Sequence, residues 1–522
     1  MLFMSKLLIG WAEESLVPEK KLSLSGQFYE RISQYVESEI TATAMAVESD
    51  GDEMILVSCD LTGIPDFLLA LVRRNFADKA TGFDPMKIVV AATHTHTSHT
   101  LKNPLVDEKT KKVQTASSRD ILNQIASSRD ILKEFMKGDQ EYKPLVTADD
   151  SVMDPADATI FVAERIASAA AKAWANRKEA LYANEFGRAV VGMCRRVAYI
   201  DDTAEMWGDT NTADFDALEG GNDSGIELIY TFDKDKKLTG VVANIACPSQ
   251  ILEQRSFISA DFWGRAKAII REKFGSDVYL LGLGGAGGDQ CPRDLVRWVE
   301  PETPIDDPHV KRPNPIRRKA DPSMFDISGC NRVGKRVANE IISVFEEITE
   351  YKSTAKLTHK VLSLDLPLRK ATKTEYNNAV REIEYYVEKN AEKGVFTFED
   401  NAKCYVHAGT IARYRYQQYT EIYTIESHVI RFGDVAFATN PFELFLDFGN
   451  RIKARSYAEQ TFIVQLSCGV GGYLPTAKAE KHGHYSAYIT SGNVGHEGGD
   501  LLVRRQLQEI NEMFKGEDIY VK

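Results

Sequence analysis

A chain of 522 residues that is 43% hydrophobic and 27% charged has enough apolar material for a large core, yet no uninterrupted apolar run long enough for a membrane span. Its 64 basic and 76 acidic side chains leave a net charge of −12, which excludes nucleic acid as the main partner and argues against stable association with anionic membranes. The seven cysteines, at 59, 194, 247, 291, 330, 404 and 468, form no CxxC pair; without a secretory-type leader they read as reduced thiols of a cytoplasmic protein.

In chain order, short β-rich runs stop abruptly at polar or glycine-rich residues. Residues 54–58 (MILVS) lead to Cys59-Asp60, and a helical pattern follows at 65–76 with Pro65 in its first turn. Residues 88–92 run straight into "THTHTSH". The stretch 105–150 reads as an exposed helix or loop insertion, because "ASSRDIL" occurs at 116–122 and again at 126–132. A helix is expected over 156–175. Strand-like runs then end at Cys247-Pro248 (241–246) and in "GGAGGDQCPR" (278–283), and a proline- and charge-rich loop at 300–322 has the position of a lid. Further on come a strand at 357–368, two helices within 374–418, and strands at 435–439 and 462–466 that stop at Asn440-Pro441 and "SCGVGGY". Strands alternating with helices predict an α/β architecture, mixed sheets flanked by helices, in one domain spanning 1–522. In such folds sites gather at the carboxyl ends of strands, where most of these polar clusters fall.

If the strand continues past Ala92, His94 and His96 alternate with Thr95 and project to one side. Neutral imidazole is both a common metal ligand and the usual proton shuttle, so the pair reads as a metal site, a proton-transfer pair, or ordinary satisfied histidines, with His99 a surface bystander. The glycine-rich run 284–293 lacks the GK[ST] of a phosphate loop and the GxGxxG dinucleotide fingerprint. Its Cys291 reads either as a nucleophile beside backbone oxyanion donors or as a buried structural thiol. Asp289 is placed to orient that loop, Asp261 to cap a helix, and His482 and His484 to line a pocket mouth or the surface.

Taken together, seven segments in order resemble the neutral (non-lysosomal) ceramidase family of zinc-dependent amidases. "ATHTHTSH" resembles that family's THTHSGP, "GMCRRVAY" (192–199) its NRS/NRR segment, and "VANIACPSQ" (242–250) its FAVHPTS. "ISADFWG" (258–264) is similar to ISADYPG, "GGDQCPR" to AGDVSPN and "NPFELF" (440–445) to PGEFT, while "GYLPT" with Tyr485 twelve residues after Tyr473 resembles its closing tyrosine pair. The resemblance implies the family's catalytic-domain fold without its C-terminal immunoglobulin-like domain, a Zn2+ cofactor and a small-molecule substrate. It implies His94, Glu443 and Tyr473 as metal ligands, with Cys247 standing where the family has a second histidine. It further implies His96, Arg195 and Tyr485 at the reacting group and Cys291 in place of the family's essential serine. Asp289 and His484, from their positions in the sequence alone, are expected on the substrate side. The expected function is a zinc-dependent hydrolase of an amide or related bond in a small polar or carbohydrate-like compound. Alternatives are a zinc/cysteine glycoside hydrolase or lactonase, a non-catalytic binding module, and a redox protein using Cys247 and Cys291.

Overall fold

Residues 6–104, 128–143, 149–296 and 326–516 are described by a computed structural model of the chain. The strands that matter for the site are β1 (Leu8–Ser15), β2 (Thr41–Ser49), β3 (Asp52–Cys59), β4 (Ile88–Ala92), β5 (Lys178–Arg188), β6 (Gly225–Asp233), β7 (Leu238–Ile245), β8 (Tyr279–Gly284), β9 (Leu357–Pro367), β10 (Ile422–Phe432), β11 (Val435–Thr439) and β12 (Gln460–Val464). The first eight form one mixed sheet in the order β8-β7-β6-β5-β1-β2-β3-β4, and the last four a second sheet in the order β9-β10-β11-β12.

One unit occurs three times: an antiparallel hairpin, a helix, and a third strand parallel to the second. It is seen in β2–β3–β4 with helix Asp66–Ala77, in β6–β7–β8 with Asp261–Phe274, and in β10–β11–β12 with Leu446–Lys453. The β2–β3 turn suits the twist of its strands: Asp50 and Gly51 both take positive φ between the paired Ser49 and Asp52. The parallel pairs β3/β4, β7/β8 and β11/β12 are nearly continuous apolar runs because both faces are covered.

Where the parallel strands end, the three units meet. The Ala92 amide donates to the Leu466 carbonyl (3.1 Å) and the Gln465 amide to the Gly284 carbonyl (3.0 Å). Residues 465–466 therefore bridge the ends of β4 and β8, the two opposite edges of the large sheet. The histidine turn after β4, the glycine-rich run after β8 and the 465–466 segment after β12 are delivered to this junction.

Most sequence-predicted elements lie within a few residues of those observed. Pro65 is the N-cap of Asp66–Ala77, and the Asp154 carboxylate caps Pro155–Ala175 by accepting from the Ala156 amide. Two expectations are corrected. The end of the second "ASSRDIL" copy is not exposed: Ile131 and Leu132 on helix Ser128–Phe135 are buried with Ile383 and Ile411 of the helices Lys373–Lys389 and Phe398–Tyr416. The strand bearing the histidines stops at Ala92. The first repeat copy and the 300–322 loop lie outside the described residues. Among the described residues, no helix is long and apolar enough to cross a membrane.

Candidate active site

His94 leaves the strand in a left-handed conformation (φ 67°), uncommon for a residue with a side chain, and its amide donates to the Leu61 carbonyl (2.9 Å). The alternating threonines hold this turn. Thr93 donates its hydroxyl to Asp60, while Thr95 and Thr97 both donate to the Ser259 carbonyl, at 2.8 and 2.9 Å. The "ISADFWG" segment thus serves as a floor for the histidine loop. His94 Nδ1 lies 2.5 Å from the Thr62 carbonyl, which fixes a proton on that nitrogen and turns Nε2 toward Glu443 Oε2 (3.4 Å) and His96 Nε2 (3.3 Å). Burial works against the charged imidazole, but the Glu443 carboxylate outweighs it and raises the His94 pKa.

Glu443 sits on the short strand Phe442–Leu444, paired in parallel with Gly472–Leu474 so that Glu443 is directly opposite Tyr473. Cross-strand partners share a face, so a carboxylate and a phenol from segments 30 residues apart project together and hydrogen-bond. Gly288 makes this possible: a Cβ there would lie 2.2 Å from the Glu443 carbonyl oxygen. Arg195, fully buried, donates through Nη2 to Tyr473 Oη (3.1 Å) and the Gly288 carbonyl (2.7 Å), through Nη1 to Gln250 Oε1 (3.2 Å), and stands 3.9 Å from Glu443 Oε2. Burial alone would lower its pKa; the neighbouring Tyr473 and Glu443 raise it instead, so the guanidinium is a fixed charge. For Glu443, burial is outweighed by His94 and Arg195, and its pKa is lowered. The Tyr485 ring meets Tyr473 edge-on at 5.5 Å, and burial pushes its phenol up to about 12, keeping it a proton-bearing donor.

His96 completes the cluster. Its Nε2 is 3.1 Å from Gln250 Nε2, its Nδ1 is 3.2 Å from Glu253 Oε2, and its main-chain oxygen accepts from Arg31 Nη2 (2.6 Å). Gln250 and Glu253 were not singled out in the sequence; both lie in the turn following Cys247, and nothing but proximity to that cysteine could have drawn attention to them.

The remaining predicted residues stand differently. Cys247 is buried with its thiol donating to the Pro248 carbonyl at 3.4 Å. Among the described residues, no three His, Cys or carboxylate donors around His94 and Glu443 come within 4.8 Å of one another, so Cys247 does not close a shell with them. Cys291 is fully buried; its thiol donates to the Arg293 carbonyl (3.3 Å), and burial, only partly offset by Arg293 and Arg195, pushes it up to about 11. It is a protonated, enclosed thiol. Asp289 accepts from the Leu446 amide (2.9 Å) and its carbonyl accepts from the Arg195 amide (2.9 Å), which makes it a brace for the loop. His484 Nδ1 accepts from the Met206 amide (3.0 Å), and His482 Nδ1 lies 2.8 Å from Glu219. Asp261 is the first residue of its helix and not the cap, which is Ala260; its carboxylate accepts from the Phe262 and Leu252 amides. His99 is no surface residue: it is buried against Phe161, and burial lowers its pKa to about 3. All seven cysteines are free thiols, so Cys247 and Cys291 form no disulfide.

A cleft of about 250 Å³ reaches this centre from one side, lined by His94, Glu443, Thr62, His99, Leu466 and Val470. His94 and Glu443 on its wall, with Tyr473 behind them, offer one imidazole nitrogen, one carboxylate and one phenol, a set that suits a divalent cation of the zinc type, and the other nitrogen of His94 is anchored to the Thr62 carbonyl. A second group has ligand-like spacing, Glu426, His428 and Cys468, all within 4.8 Å. Its bonds are satisfied by protein. Arg73 takes both Glu426 oxygens (2.6 and 2.9 Å), and His428 Nδ1 meets His359 Nε2 at 2.8 Å.

Three hairpin–helix–strand units with a polar junction at their strand ends define a mixed α/β fold that has solved counterparts. The chain is similar to the crystal structure of neutral ceramidase from Pseudomonas aeruginosa, with a TM-score of 0.63 at 14% identity over 96% of this chain and 74% of that one. It is similar also to a ceramidase complexed with C2, with a TM-score of 0.62 at 12% identity over the same shares. At this identity the likeness establishes the fold. No family model and no curated protein sequence matches the chain.

Proposed function

We propose that the protein is a zinc-dependent hydrolase acting on an amide or related acyl bond of a small polar or carbohydrate-like substrate. One observation carries this reading: residues 94, 195, 443 and 473, far apart in sequence, converge as His94–Glu443–Tyr473–Arg195 at the end of a cleft. His94, Glu443 and Tyr473 would hold the metal, which when bound polarises a carbonyl and brings the pKa of its water toward about 7. Arg195 and the Tyr485 phenol would stabilise the negative charge that develops on the attacked oxygen; donors preorganised in a dry site are worth about 3–4 kcal/mol each in reactions of this class. His96 would take the proton from the attacking water. Water is the proposed nucleophile, because the buried Cys291 thiol gives its hydrogen to the Arg293 carbonyl. The seven free thiols suit a reducing compartment such as the cytoplasm.

Purified zinc-loaded protein should hydrolyse members of a panel of N-acyl amino sugars, N-acyl amino acids, lactones, aryl acetates and aryl glycosides. Cleavage confined to glycosides would replace acyl transfer with the glycosidase alternative. No turnover of any class, with less than about 0.1 zinc per chain and no activation by added divalent ions, would instead support a binding module.

A further inference from the structure

Beside the cleft at the metal centre lies a second chamber, of about 420 Å³. The two share a border, since Pro65, Leu101, Val470 and Gly472 line both. One wall of the chamber is tied to the strand that carries Tyr473. The Tyr473 amide donates to the Ser491 carbonyl (2.9 Å), the Asn493 amide donates to the Gly471 carbonyl (3.2 Å), and Gly472 pairs with Gly492 in an antiparallel bridge. The Tyr423 phenol donates to the Val470 carbonyl (2.7 Å). These main-chain oxygens are taken by the protein itself.

The Asn493 side chain is different. The buried Arg413 donates through Nη2 to Asn493 Oδ1 (2.8 Å) and to the Gly492 carbonyl (2.9 Å). A guanidinium can only donate, so that end of the Asn493 amide is the oxygen. The NH2 end therefore points away from Arg413. It makes no hydrogen bond among the described residues, and Asn493 lines the chamber. Phe67, Leu101, Tyr423 and Val470 give the same chamber an apolar surface. An alkyl chain filling it would cover the NH2 donor without replacing its hydrogen bonds to water, which is costly. A sugar ring suits both surfaces: its slightly positive C–H bonds meet the negative faces of aromatic rings, and its hydroxyls accept from the donor. Size agrees as well. At about 30 Å³ per non-hydrogen atom, a water's share of liquid volume, the chamber has room for about fourteen such atoms, and a hexose has about twelve.

We propose that this chamber is a hexose subsite in which the Asn493 NH2 donates to a sugar hydroxyl, so that the substrate is an N-acyl amino sugar with its acyl group in the adjoining cleft at His94 and Glu443. The bond that is cleaved rests on the hydrolase reading; the occupant of the chamber does not.

The test is isothermal calorimetry of zinc-loaded protein with N-acetylglucosamine, N-acetylgalactosamine and, as the apolar comparison, octanamide. At least one of the sugars should bind more tightly than octanamide. Asn493→Asp keeps the oxygen that Arg413 holds but has no NH2; its affinity for that sugar should fall about tenfold, with octanamide binding unchanged. Val470→Trp, at an exposed position on the border of cleft and chamber, should also weaken sugar binding, and it decides the matter if Asn493→Asp does not fold. Binding of neither sugar, tighter binding of octanamide than of both, or unchanged sugar affinity in folded Asn493→Asp overturns the inference. Acetate release is assayed in the same samples. A sugar that binds as described without releasing acetate counts against the hydrolase reading alone and leaves the hexose subsite standing.

Discussion

Substituting Gly26 by alanine perturbs the centre without removing any polar group. The backbone there has φ 96°, a region that disfavours L side chains, and the new methyl carbon would lie 2.3 Å from His96 Cγ and 2.6 Å from Nδ1. Ordinary van der Waals contact begins near 3.4 Å, so the imidazole must retreat by about 1 Å. It has nowhere to go without stretching its contacts to Glu253 (3.2 Å) and Gln250 (3.1 Å). The left-handed backbone costs about 1–2 kcal/mol, and the displaced contacts bring the total to about 2–4 kcal/mol. A misplacement of about 1 Å in a reacting group costs about a hundredfold in rate. The assay is urea denaturation at fixed zinc, paired with 4-nitrophenyl acetate kinetics. Gly63→Ala serves as the control, because its Cβ would meet only Val470, at 3.8 Å. Gly26→Ala matching the control in both stability and rate would refute the claim that His96 is locked at the centre.

Two further outcomes follow from the same geometry. Cys291→Ala should keep hydrolysis within a few-fold of wild type, because the thiol is buried, protonated and bound to a carbonyl; loss of nearly all activity with a native fold would restore it as nucleophile. Asp289 is raised by burial from 3.8 to about 6, so its carboxyl favours the folded state when protonated. That contribution is fully present below the ordinary carboxylate pKa and is lost as pH rises through 6, a span worth about 3 kcal/mol. Urea midpoints at pH 4 and pH 7.5 should thus show wild type losing stability relative to Asp289→Asn; parallel changes in the two proteins would contradict the assignment.

The elements legible in the sequence were those with a strong local signal. The run 435–439 ends as a strand where its apolar residues end, and Pro65 and Asp154 mark helix starts by their chemistry. The start of helix Asp261–Phe274 was marked in the sequence by Asp261, read as a cap, but the cap is Ala260, which makes no side-chain hydrogen bond. The two helical patterns at 374–418 are set by capping boxes, Thr372 with Glu375 and Thr397 with Asp400. The histidine motif was visible, but not its geometry. A strand period places His94 and His96 on one face, whereas the left-handed turn at His94 is imposed by Leu61 and Thr62 from another loop. Cys247 and Cys291 drew attention as reactive residue types; their carbonyl partners depend on tertiary placement that no spacing records. Gln250 and Glu253 carry no motif at all, and their contacts with Arg195 and His96 arise only from the tertiary fold.

The central claim is that His94, Glu443 and Tyr473 hold a divalent cation, and the presence of a second Glu–His–Cys group makes the comparison of two variants decisive. Zinc content should be measured after dialysis for wild type, Glu443→Gln and Glu426→Gln, each checked for native folding by circular dichroism. The account predicts about one zinc per chain in wild type and Glu426→Gln, and a large loss in Glu443→Gln. Zinc retained by Glu443→Gln and lost from Glu426→Gln would contradict it, moving the metal to the cluster beside Arg73.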